Sequence, residues 1–60
     1  MNSNILIIDD DVELTDLLTE YLVPEGFVIT CAHEGDSGIK KALNQPFDAI
    51  ILDVMLPKLN

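Results

Sequence analysis

Four aspartates are the residues of this 60-residue chain best placed by type and spacing to do chemistry. Asp9, Asp10 and Asp11 follow directly on Ile5-Leu6-Ile7-Ile8, and Asp53 follows directly on Ala49-Ile50-Ile51-Leu52. Short aliphatic runs rich in β-branched residues read as strands buried on both faces, the kind found in parallel sheets. In an open parallel sheet, ligands bind outside the carboxyl ends of the strands. If the two runs are parallel neighbours, Asp9, Asp10 and Asp53 converge at that edge. Like charges gathered there repel one another unless a cation lies between them. Mg²⁺ suits such a site, because it prefers oxygen ligands, keeps several waters and needs only one or two carboxylates. Asp53 then stands as a candidate nucleophile.

Plainer roles exist for each of these residues. Asp9 to Asp11 can cap a helix and favour its positive N-terminal dipole, and for Asp11 alone that is the preferred reading. One cap does not require three adjacent carboxylates, however. Asp53 can close a turn. Other phosphate-handling sites fit poorly: a dinucleotide fold or a P-loop would place glycine-rich sequence after the first strand, where this chain has acids. A haloacid-dehalogenase-like phosphatase would want a second acid two residues after Asp53, where Met55 stands. His33 reads as a surface residue in a turn, Lys58 as a solvated loop residue and Pro57 as a shaper of that loop. Cys31 reads as a small apolar strand residue.

These residues need elements to position them. Leu14, Leu17, Leu18, Tyr21 and Leu22 fall at i, i+3, i+4, i+7 and i+8, one apolar stripe of a helix. Glu13, Asp16, Thr19 and Glu20 are expected on its outer face. Asp10, three residues before Glu13, has capping-box spacing, and Asp11 can cap instead. Pro24-Glu25-Gly26 ends the helix. Phe27 to Ala32 reads as a second strand. A second helix capped by Asp36 or Ser37 is expected to reach Asn44, with Ile39, Ala42 and Leu43 facing inward. Gly38 weakens that helix by up to about 1 kcal/mol relative to alanine, unless it allows close packing on the sheet. Phe47 to Leu52 is the third strand, with a loop beyond it. The order β-α-β-α-β argues for an α/β fold with a parallel sheet. Right-handed crossovers can order the strands 2-1-3, one helix on each face, which makes strands 1 and 3 neighbours.

Composition bounds what the chain can do. It is 48% hydrophobic and 23% charged, as an ordinary globular domain is. Eleven acids against Lys40, Lys41 and Lys58, with no arginine, give a formal net charge of −8. Nucleic-acid binding by this segment is thereby disfavoured, since it needs a basic patch. The single cysteine closes no internal disulfide, in keeping with a reducing cytoplasm. The start Met1-Asn2-Ser3-Asn4 has no basic n-region, and the aliphatic runs fall far short of the roughly 20 residues that span a bilayer. A cytoplasmic location without membrane attachment is expected.

Taken in order, ILIIDDD, EGF after the first helix, HEGDSG entering the second and FDAIILDVMLP around Asp53 resemble the receiver domain of two-component response regulators. The resemblance covers essentially the whole chain. Within the family, DDDVELTDLLTEYL and LDVMLPKLN are most similar to OmpR/PhoB-type regulators, among them a Cpx-type envelope-stress regulator. It implies the first half of a flavodoxin-like, doubly wound sheet. It implies further that Asp53 accepts a phosphoryl group from a histidine kinase or a small acyl phosphate. Asp10, Asp53 and the Met55 backbone carbonyl would bind Mg²⁺, with Asp9 acting mainly through metal-bound water. The parent would be a transcription regulator and not a turnover enzyme.

Receivers continue through two more strands and three more helices, which carry a Ser/Thr and a Lys that contact the phosphoryl group. In OmpR-like proteins a DNA-binding domain follows. Residues 1–60 are therefore expected to be a truncated receiver of three strands and two helices, without that second half or output domain. Exposed strand edges or helix faces would then favour a homodimer. The alternative is a self-associating structural half-domain without productive phosphotransfer.

Overall fold

The computed structural model describes residues 2–53. They form β1 (Ser3–Ile8), α1 (Val12–Leu22), a 3-10 turn (Val23–Glu25), β2 (Phe27–Ala32), α2 (Gly35–Asn44) and β3 (Ala49–Leu52). All strands are parallel and lie in the order β2-β1-β3, the α/β arrangement expected from chain order. Ile8 is opposite both Ala32 and Leu52, so the three strands end level with one another.

The aliphatic run of β1 becomes the core because it lies between two strands. Leu6 and Ile7 are wholly inaccessible, and Ile5 and Ile8 are nearly so. Side chains alternate across a strand. Leu6 and Ile8 accordingly cluster with Ala32, Ala42 and Phe47 on the α2 side, leaving Ile5 and Ile7 for the opposite face. β3 is shorter than expected and starts at Ala49. Phe47 packs beneath it into the core cluster. Asp48 is bound to Asn4 twice: its N–H donates to the Asn4 carbonyl (2.7 Å), and its carboxylate accepts the Asn4 N–H (2.7 Å).

Each helix turns inward only part of the face its apolar residues mark: Leu18, Leu22 and Ala42 lie inward as expected, and the others do not. On α1 the inward line is Thr15, Leu18, Thr19 and Leu22, with Thr15 fully buried. Leu14, Leu17 and Tyr21 are exposed, Tyr21 by 76%. Thr19, expected outside, is half-buried. The reason is hydrogen bonding against β2. The Thr15 hydroxyl donates to the Val12 carbonyl (2.9 Å), which spends its one proton, so His33 Nε2–H donates to Thr15 Oγ1 (3.0 Å). The Thr19 hydroxyl donates to the Thr15 carbonyl (2.7 Å) and accepts from the Cys31 thiol (3.6 Å). His33 is exposed, yet it ties α1 to the end of β2.

On α2 the inward residues are Gly35, Gly38 and the half-buried Ala42, whereas Ile39 and Leu43 are exposed, Leu43 by 81%. Small residues win that face because the helix lies tight against Ile8. Glu34 precedes this helix without a side-chain cap, so neither Asp36 nor Ser37 caps it. The Ser37 hydroxyl donates to the Glu34 carbonyl (3.1 Å). Lys41 Nζ donates to the Cys31 carbonyl (2.9 Å). Asp11 caps α1 by accepting the Leu14 N–H (3.1 Å), the second of the two capping arrangements open from sequence. Gly26, at φ 98°, ends the 3-10 turn in a left-handed conformation that its missing Cβ permits.

Candidate metal centre at the strand ends

The register that levels the strand ends also places the acids. Asp9 is the residue after β1 and Asp53 the residue after β3, and Ile8 and Leu52 are paired. The ladder extends one step further on each side: the Asp53 N–H donates to the Ile8 carbonyl (2.9 Å), and the Asp9 N–H donates to the Ala32 carbonyl (3.0 Å). Asp53 is thus anchored by its backbone to the central strand β1, and Asp9, which follows β1, is anchored to β2. Asp10, at the bend before α1, is exposed, while Asp9 and Asp53 are half-buried.

Asp9, Asp10 and Asp53 each present a carboxylate oxygen, and these oxygens lie within 4.8 Å of one another. Two ligands on one Mg²⁺ at about 2.1 Å stand at most about 4.2 Å apart. A spread of this size is close enough for the three carboxylates to share one ion, directly or through its water. Asp9 Oδ1 accepts the Asp11 N–H (2.9 Å), which occupies one of its oxygens. The donor set is all oxygen, which matches a hard cation and not a thiophilic one. Met55, expected to offer its backbone carbonyl, lies outside the described residues, as do Pro57 and Lys58.

The other candidates take structural roles. Asp11 caps a helix, His33 holds Thr15, and Cys31 meets Thr19. An open hollow on α1, lined by Asp11, Glu13, Leu14, Asp16, Leu17 and Glu20, shares no residue with the carboxylate cluster. Sequence reasoning passed over Thr15, because a threonine inside an amphipathic helix looks like a surface residue. The alternative left open for Gly38, close packing on the sheet, is the one found: Ile8 lies directly against it. Among the described residues no helix is long and apolar enough to cross a membrane.

Comparison with known proteins adds an independent line. The family model for the response regulator receiver domain matches residues 5–60. The transcriptional regulatory protein CpxR homolog of Haemophilus influenzae is 47% identical over 58 residues, 97% of this chain and 25% of its own length. CpxR of Escherichia coli K12 matches to the same extent. The alkaline phosphatase synthesis transcriptional regulatory protein PhoP of Bacillus subtilis is 42% identical over 60 residues, all of this chain and 25% of its own. The chain thus spans about a quarter of the length of these curated relatives. No solved structure matches it.

Proposed function

This chain belongs to the response regulator receiver domain family, and from the carboxylates gathered at its strand ends we infer that Asp53 is a phosphoacceptor. The observation that carries the reading is the convergence of Asp9, Asp10 and Asp53 within 4.8 Å at the carboxyl edge of a parallel sheet. In the reaction, an Asp53 carboxylate oxygen attacks phosphorus in line. The bond from phosphorus to its donor breaks, and the donor leaves with the electron pair. That donor is a kinase phosphohistidine or a small acyl phosphate. Mg²⁺, when bound, neutralises charge on the phosphoryl oxygens. Asp10 and Asp53 would hold it with the Met55 carbonyl, and Asp9 would orient a water of its shell. The Ile8 carbonyl holds the Asp53 backbone so that the carboxylate faces its neighbours. The product carries about −1.5 to −2 charge at neutral pH, enough to bias a two-state element.

The relatives' names describe transcriptional regulators. The reading extends accordingly to a cytoplasmic regulator that takes phosphate from a sensor kinase. Its DNA-binding output would lie outside the segment shared with this chain.

Intact-mass measurement after treatment with acetyl phosphate and Mg²⁺ tests the chemistry. One phosphoryl increment is expected, absent in Asp53→Asn and absent without Mg²⁺. An unchanged mass in the natural chain would sink the reading for this segment. The exposed Ile50, Ile51 and Leu52 of β3 favour a second property, self-association along that edge. Sedimentation at micromolar concentration should show a dimer, and a folded monomer removes the idea.

A further inference from the structure

Gly38 lies where no other residue fits without movement. A Cβ placed on it would stand 2.5 Å from Cδ1, 2.7 Å from Cγ1 and 2.9 Å from Cγ2 of Ile8. Those atoms lie on both branches of the side chain, so rotating its tip alone cannot clear the space. Ile8 is only 4% exposed, and a β-branched residue is stiff at χ1. Close-packed interiors transmit such a displacement and do not absorb it.

What Ile8 is attached to gives the contact its importance. Its carbonyl accepts the Asp53 N–H, and the next residue is Asp9, whose own N–H is bound to Ala32. One residue therefore sits in the backbone connections of both anchored carboxylates. We propose that Gly38 and Ile8 are a positioning pair, with the bare face of α2 against Ile8 setting where Asp9 and Asp53 stand relative to each other. The inference deepens the reading of those carboxylates as a Mg²⁺ and phosphoryl site and rests on it for its functional meaning. Neither residue touches the ion or the phosphoryl group. Both act through the aspartates.

The test is a set of variants of the whole chain, followed by the amide resonances of Asp9 and Asp53 with and without Mg²⁺. Gly38→Ala is expected to move both resonances in the metal-free protein and to weaken Mg²⁺ binding about tenfold, the usual scale for losing support behind a ligand. Adding Ile8→Val removes the nearest of the three opposing atoms and leaves the two longer contacts, so the double variant should recover both readouts in part. Ile7→Val deletes the same methylene on the other face of β1 and should change neither.

A folded Gly38→Ala protein whose Asp9 and Asp53 resonances stay in place overturns the proposal, because α2 alone then gave way. So does a folded double variant that binds Mg²⁺ no better than the single one. If Gly38→Ala does not fold, the double variant decides in the same manner. If the natural chain binds no Mg²⁺, the metal reading falls, and the metal-free resonances alone decide the positioning role.

Discussion

β1 and β3 each deliver a carboxylate to the same edge, yet their surroundings are opposite. β1 has a partner strand on both sides and every residue from Ile5 to Ile8 buried, whereas all four residues of β3 are exposed and only β1 pairs with it among the described residues. Asp9 and Asp10 therefore project from the most constrained part of the molecule. Asp53 projects from a strand held by one ladder, by Asp48 at its entry and by the Ile8 carbonyl at its exit. The difference teaches that the centre is built asymmetrically. Two of its acids are fixed by the core, and the proposed acceptor is fixed by its attachment to that core.

Substitutions should separate the two strands. Leu6→Ala, in the wholly buried middle of β1, is expected to remove about 2–5 kcal/mol, and urea denaturation should find the chain unfolded or nearly so. Ile51→Ala, on a residue 43% exposed, should lower stability by only about 1 kcal/mol. A loss equal to that of Leu6→Ala would break the comparison, showing that β3 is covered. Asp48→Ala removes the carboxylate that takes the Asn4 N–H and should cost about 0.5 kcal/mol in this exposed setting. Hydrogen exchange sharpens the contrast in that variant: the Asp53 amide should exchange faster, while the amides of β1 hold their rates.

The strands were legible in sequence for a simple reason. A run such as Ile5 to Ile8 can be buried only in the middle of something, and right-handed crossovers then leave few ways to place its neighbours. The gathering of Asp9, Asp10 and Asp53 followed from that order. The inward faces of the helices were legible only in part, at Leu18, Leu22 and Ala42. α1 spreads Val12, Leu14, Leu17, Leu18, Tyr21 and Leu22 around much of its circumference, so periodicity marks a mean direction without marking the contact. The contact was decided by Cys31 of β2 and by His33 just after it, which meet the two threonines. On α2 the pattern pointed to Ile39, Ala42 and Leu43, and close packing on Ile8 kept only the small Ala42 of the three, beside Gly35 and Gly38. A helix face chosen by size complementarity leaves little trace in hydropathy.

Lys41 has a consequence of another kind. The Ala32 carbonyl takes the Asp9 N–H, so Ala32 faces β1, and the alternation of a parallel strand turns the Cys31 carbonyl to the open side of β2. Lys41 Nζ occupies that carbonyl. An approaching strand would have to displace the ammonium and bury its charge, which guards the sheet against edge-to-edge growth. In a chain with three basic residues and a net charge of −8, one of those three is spent as a lock on one of the two sheet edges that no other strand of the described residues covers. Acetylation of that single amine, by removing its charge, would turn a solubility device into a sticky border.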